Sequence, residues 1–160
     1  MYHESTRVPL IIRWPGRVPS GKRVSALTSM IDVVPTLLDL MGIPQALSMR
    51  GESMRQLWDY GYNKRTALFM EVFESYGFWG PIFGVRTERY QYNWYLGDDD
   101  ELYDIVADPN EMVNLAGRSE CRDTVIGLRS QIRAWLSDTG DPSIGSLLMV
   151  PPGKKVDGGL

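Results

Sequence analysis

Between Arg7 and Trp14-Pro15-Gly16 lies Val8-Pro9-Leu10-Ile11-Ile12, a short apolar run with no polar alternation. Such a run predicts a strand covered on both faces, the kind that sits inside a parallel sheet with helices on each side. A strand of that kind is unstable at an edge and demands neighbours. The chain offers few. Beyond the run come one short apolar helix and then several strands of the alternating, half-buried type. The expected whole is therefore an α/β fold of which this chain carries only a part.

The helix is predicted from Asp32 to Met41. Asp32 serves as its N-cap, Pro35 falls in the first turn where its missing N–H has no intrahelical partner, Gly42 suits the left-handed stop, and Pro44 prevents continuation. Val33, Val34, Leu37, Leu38, Leu40 and Met41 cover most of its circumference, which predicts burial against more than one layer. Residues 1–44 thus read as a core strand and helix, and 45–64 as a connector with one short helical turn around Ser53 to Trp58.

From residue 65 the hydrophobic period changes. Ala67 to Phe73, Phe83 to Thr87, Tyr90 to Tyr95 and Glu101 to Ile105 read as strands of a small antiparallel sheet. A last helix, capped by Ser119 and ending near Ser137, carries Cys121, Val125, Leu128, Ile132, Trp135 and Leu136 at helical spacing, and it is expected to lie across one face of that sheet. The sheet and helix form the subdomain 65–139, and 140–160 reads as an extended tail.

Several classes of function fall away at this stage. A formal charge of −3 and scattered basic residues give no stripe for nucleic acid. No apolar run approaches the roughly 20 residues of a membrane span, and no export signal is visible. A single cysteine excludes an internal disulfide or a cysteine-rich zinc site.

The order of the short motifs is more telling than any one of them. Tyr2-His3-Glu4-Ser5-Thr6-Arg7-Val8-Pro9, Arg13-Trp14-Pro15-Gly16, Ser29 with Ile31-Asp32 and Pro35-Thr36-Leu37-Leu38, Gly51-Glu52-Ser53, Val85-Arg86-Thr87-Glu88-Arg89-Tyr90, and Leu102-Tyr103-Asp104 with Asp108-Pro109 and Asn114-Leu115-Ala116 stand in one collinear series. The series resembles the C-terminal third of the sulfatase family, arylsulfatase-like enzymes of the alkaline phosphatase superfamily.

The resemblance implies a sulfuric ester hydrolase as the complete enzyme, with a formylglycine nucleophile made from a Cys/Ser-x-Pro-x-Arg motif and a divalent cation, usually calcium. Neither the motif nor the carboxylate metal ligands can be placed here, since Cys121 is followed by Arg122-Asp123. No catalytic or metal residue is therefore expected in the chain, which alone is predicted inactive. The implied partner is an N-terminal sulfatase portion, in the same parent chain or as a separate one, with self-association through an exposed sheet as a further expectation. Two alternatives stand beside this reading: a parent acting on phosphate or phosphonate esters, and a stand-alone binding or oligomerisation module.

Some individual residues invite a functional role. Tyr76, Phe78 and Trp79, in a loop bracketed by glycines, are expected at the rim of the substrate cleft or folded over the subdomain core. The resemblance implies a catalytic lysine and metal ligands shortly before the Tyr2 position, and His3, Glu4 and Arg7 are candidates for orienting them, with a Glu4 and Arg7 ion pair and a hydrogen-bonded or exposed His3 as the plainer reading. Asp98-Asp99-Asp100-Glu101 lacks the alternate-residue spacing of a calcium loop and reads as a solvated turn. Cys121 reads as an inert core thiol.

Overall fold

The computed structural model describes residues 1–61, 65–73, 81–96 and 98–140. The chain forms two compact units, one of Val8–Leu68 and one in which Met1–Arg7 joins Phe69–Leu160. The connector read at 45–64 thus lies within the first unit. The opening residues, read as the start of the core strand, lie with the sheet.

In the unit 8–68 the expected strand is absent. Residues 8–12 carry no strand pairing, Val8 and Leu10 are exposed, and Ile11 is 90% exposed. The physical reason is the one that made the strand demanding: a backbone covered on both faces needs flanking strands, and among the described residues none lies beside it. The apolar residues of this unit instead gather around Leu40, Met54, Leu57 and Trp58, with Ile12, Trp14, Val18, Ala26 and Val33 partly buried against them.

Helix α2, Val33–Met41, follows a 3-10 turn at Met30–Asp32. (The four-residue helix α1, His3–Thr6, precedes it in the other unit.) Asp32 holds the N-cap position of α2, as expected, but its side chain makes no cap bond there; Ser29 caps the 3-10 turn, and its N–H donates to Asp32 Oδ2 at 2.8 Å in a capping box. Asp32 is placed three residues into the turn because its carboxylate has other partners to meet. Gly42 closes the helix at φ 72°, and the Ile43 N–H returns to the Leu38 carbonyl at 2.8 Å, the 6→1 bond of a Schellman stop. Only Pro35, Thr36 and Leu40 are buried, so Val34, Leu37 and Met41 form an exposed apolar row.

Side chains tie α2 to the stretch leading into helix α3, Arg55–Asp59. Thr36 Oγ1 donates to the Asp32 carbonyl at 2.6 Å and accepts the Met54 N–H at 2.9 Å, while Ser53 Oγ donates to Asp39 at 2.6 Å. Gly51 passes so close to Ile31 that a Cβ there would lie 2.0 Å from the Ile31 carbonyl oxygen. The Gly51-Glu52-Ser53 motif is thereby explained: a residue without a side chain, then one whose N–H meets Asp32, then a hydroxyl for Asp39.

The second unit is a four-stranded sheet in the order β1 (Ala67–Val72), β2 (Ile82–Thr87), β3 (Tyr90–Tyr95), β4 (Glu101–Asp104). Strands β2 and β3 pair antiparallel with Phe83 opposite Trp94 and Gly84 opposite Asn93, and β3 pairs antiparallel with β4 with Tyr92 opposite Leu102. The alternation of Tyr90 to Tyr95 divides the sheet into two faces. Phe83, Val85, Tyr92, Trp94 and Leu102 face helix α4, Arg122–Thr139, whose Val125, Leu128, Ile132 and Leu136 are buried. Phe69 and Trp135 stack at 5.2 Å with 5° between their planes. The helix lies across one face as expected, although a 3-10 turn at Ser119–Cys121 precedes it and Cys121 is only half-buried.

The acidic turn is not simply solvated. Asp100 binds Arg129 and accepts the Tyr92 hydroxyl at 2.7 Å, and the Arg129 guanidinium lies 4.5 Å from the Trp94 ring centre. Burial pushes the Asp100 carboxyl up, and the bonds from Tyr92 and Arg129 offset that only in part. The loop after β4 is built by three side chains standing in for a ladder. Asp104 accepts the N–H groups of Val106 and Ala107, Asp108 those of Met112 and Val113, and Asn114 those of Leu102 and Ala116.

Candidate functional site

The face of the sheet away from α4 is polar, and it carries the arrangement of most functional interest. Pleating brings Gly84 and Arg86 of β2, Gln91, Asn93 and Tyr95 of β3, and Glu101 and Tyr103 of β4 to this side. Gln91 and Asn93 are fully buried and bonded to each other, Gln91 Nε2 donating to Asn93 Oδ1 at 2.9 Å. Met1 lies against this face, over Gly84 and within hydrogen-bond reach of Asn93, and leads into helix α1.

Glu101 is the hub. Its carboxylate accepts the Tyr2 hydroxyl at 2.9 Å, the Tyr95 hydroxyl at 2.8 Å and the Asn93 amide at 3.0 Å. Asn93 also donates to the Met1 carbonyl at 3.3 Å, and the rings of Tyr2 and Tyr103 lie 6.0 Å apart. Burial, then the Glu101 carboxylate, pushes the Tyr95 phenol well above its ordinary range; burial and the Tyr2 hydroxyl do the same to Tyr103. Both hydroxyls therefore stay protonated at physiological pH and act as hydrogen-bond donors.

A second carboxylate holds the same segment. Glu111, 5% exposed, accepts the His3 N–H at 2.9 Å on one oxygen and faces Arg86 Nη1 at 3.4 Å with the other. It caps the first turn of α1, where a backbone N–H has no partner of its own. Its φ of 54° is in the left-handed region, and among the described residues no other non-glycine adopts a positive φ. The conformation aims the side chain under the sheet rather than outward with its neighbours Met112 and Val113, which are exposed.

Of the residues singled out from sequence, His3 and Glu4 meet here and Arg7 does not join them. His3 Nδ1 lies 3.6 Å from Glu4 Oε1, while Arg7 is exposed and ends α1 with its N–H on the His3 carbonyl at 2.8 Å. In place of the expected pairing of Glu4 with Arg7, Glu4 lies beside His3, because Arg7 has already left the helical turn for extended backbone at φ −94° and ψ 97°. Tyr76, Phe78 and Trp79 lie outside the described residues. Sequence reasoning misses Glu101 and Glu111: Glu101 reads as part of the acidic turn, and Glu111 shows its role only through a left-handed backbone that no sequence pattern announces. Arg86, near the end of β2, forms its ion pair with Glu111.

His3, Glu4 and Glu111 can bring one ligand atom each within 4.8 Å of one another. They do not fit the calcium that the resemblance implies. Calcium takes about six to eight oxygen ligands, whereas here one carboxylate is already engaged by a guanidinium and a backbone N–H. The formylglycine motif has no counterpart in the chain either. The arrangement anchors a backbone segment on the sheet.

The family model for the C-terminal region of N-sulphoglucosamine sulphohydrolase matches residues 1–138. The chain is 31% identical over 129 residues to an N-acetylglucosamine-6-O-sulfatase of Bacteroides thetaiotaomicron, covering 75% of this chain and 23% of that protein. A solved structure described as a complex with its substrate D-glucosamine-2-N,6-O-disulfate superposes with a TM-score of 0.73 at 26% identity, over 82% of this chain and 28% of that one. A phosphonate monoester hydrolase from Silicibacter pomeroyi shares the fold at a TM-score of 0.69 and 24% identity, over 82% of this chain and 29% of that one.

The chain belongs to the sulfatase family, in its C-terminal region of the N-sulphoglucosamine sulphohydrolase type, and its fold is the corresponding part of the alkaline-phosphatase-like architecture. It spans about a quarter of the length of the curated relatives it matches.

Proposed function

We propose that the chain works as the C-terminal part of a sulfate-ester hydrolase, supplying a wall of the substrate cleft and a frame for the catalytic portion while contributing no nucleophile or metal ligand. The observation that carries this reading is the family match over residues 1–138, joined to a polar sheet face that grips Met1–Arg7 and holds no catalytic set. The formylglycine and the divalent cation belong to the N-terminal portion. The substrate class best supported by the similarity is a sulfated amino sugar, since the Bacteroides relative carries that activity in its name. His3, Glu4 and Arg7 line the side of this wall next to the catalytic portion, and Tyr76, Phe78 and Trp79 form its rim. The exposed row Val34, Leu37 and Met41, with Val8 and Ile11, is the surface that the N-terminal portion covers.

A second reading, a parent acting on phosphonate esters, is favoured by the likeness to phosphonate monoester hydrolases, which extends to the fold alone.

The test joins the N-terminal three quarters of the Bacteroides relative to this chain at Met1 and assays 4-nitrophenyl sulfate with calcium, beside 4-nitrophenyl phosphate and a phenylphosphonate monoester. The expected result is sulfate turnover by the joined protein and none by the 160-residue chain alone. A joined protein that folds but turns over no sulfate ester would reject the role. Turnover by the chain alone would show that it carries chemistry of its own.

A further inference from the structure

Helix α1 buries none of its residues, and four residues are too few to hold a helix together. Yet side chains 92 to 108 positions further along the chain fix its entry, Met1 to His3, at three points. Asn93 Nδ2 donates to the Met1 carbonyl, Glu101 accepts the Tyr2 hydroxyl, and Glu111 accepts the His3 N–H. The Met1 side chain meanwhile lies over Gly84, where a Cβ would stand 2.7 Å from the Met1 methyl carbon. The arrangement requires a left-handed glutamate whose buried carboxylate is paired with Arg86. Devices of this kind specify position more than stability.

We propose that Glu101 and Glu111 form a two-point clamp that fixes where, and in which direction, the polypeptide crosses the polar face of the sheet at Met1. Glu111 is then a positioning residue for the groups that a complete sulfatase carries on the N-terminal side of Met1. The inference rests on the reading of the chain as part of a sulfate-ester hydrolase. Glu111 sets the first turn of α1 through the His3 N–H. Glu101 sets the ring of Tyr2. With both held, Met1 has one path across Gly84 and Asn93. The clamp touches no substrate, so its loss acts on the alignment of reacting groups more than on ground-state binding.

The test has two arms. In the 160-residue chain, amide hydrogen exchange at His3, Ser5, Thr6 and Arg7 is compared between the unsubstituted protein, Glu111→Ala, Glu111→Gln and Tyr2→Phe. Glu111→Ala is expected to speed exchange at these amides at least tenfold while the amides of β2 to β4 stay protected. Glu111→Gln, which keeps an oxygen for the His3 N–H, recovers part of that protection. Tyr2→Phe removes one exposed hydroxyl, leaves folding intact and gives a smaller rise of the same kind. In the joined sulfatase the same substitutions are expected to lower kcat tenfold or more for Glu111→Ala and about threefold for Tyr2→Phe, with KM within twofold of the unsubstituted enzyme in both. Exchange unchanged by all three substitutions would overturn the clamp. Faster exchange with kcat unchanged would overturn its positioning role. An unsubstituted joined protein that folds without turnover would reject the functional reading itself, and this role with it.

Discussion

Asp32 draws together three separate parts of the sequence. Its carboxylate, 1% exposed, accepts the Ser29 N–H at 2.8 Å, the Glu52 N–H at 2.9 Å and both terminal nitrogens of Arg65. Burial alone would raise its pKa; the Arg65 guanidinium and the two backbone donors outweigh burial and hold the carboxyl below its ordinary value of 3.8. The unfolded chain therefore binds this proton more tightly than the folded one. The contribution of Asp32 to stability is complete above about pH 4 and is lost as the pH falls through the depressed folded value. Asp32→Asn is expected to flatten the loss of stability below about pH 4 in urea titrations taken at several pH values. At pH 7, Asp32→Ala takes from Arg65 and two backbone N–H groups the carboxylate they share and is expected to cost about 3 kcal/mol. Gly51 allows an equally direct check. A methyl group in contact with the Ile31 carbonyl forces the backbone apart, and Gly51→Ala should destabilise by about 2 to 3 kcal/mol, read as a lower urea midpoint.

Elements of similar appearance in the sequence have different supports. Helix α4 stands on its apolar stripe, with Ile132 and Leu136 fully buried. Ile132→Ala should therefore cost about 3 kcal/mol, measured by thermal or urea unfolding of the sheet unit. Helix α2 has strong local signals, a capping box and a Schellman stop, but only three of its nine residues are buried. Its exposed row Val34, Leu37 and Met41 should make the chain alone self-associate. Leu37→Glu with Met41→Glu is expected to shift sedimentation toward monomer with little loss of stability, because both positions already face solvent. Helix α1 depends on neither stripe nor stop; its entry is held by Asn93 of β3, Glu101 of β4 and Glu111 in the loop beyond.

At the scale of the whole molecule, the segment Val8–Ile12 allows this chain alone to be compared with the joined enzyme. Ile11 is 90% exposed, so Ile11→Asp should change the stability of the chain by no more than about 0.5 kcal/mol. If the segment becomes a buried strand once the N-terminal portion is present, the same substitution should abolish turnover in the joined enzyme through an unpaired buried carboxylate. Most of the local structure was legible from residues alone. Period-two alternation located β3 to the residue, 3.6-residue spacing located α4, and Gly42 with Pro44 marked the end of α2, since each signal is short-range and carried by neighbouring side chains. The collinear motifs were legible as a family signature, but their work was not. Gly51 is a contact with Ile31, Asp32 a meeting point for Glu52 and Arg65, and Asn114 a substitute rung for Leu102. Tertiary structure alone decided that the acidic turn would bury Asp100 on Arg129, that Glu111 would turn left-handed to hold His3, and that Met1–Arg7 would lie on the sheet instead of leading a core strand. Those outcomes depend on groups that are tens of residues apart in sequence, and a pattern of neighbours cannot encode which distant donor a carboxylate will meet.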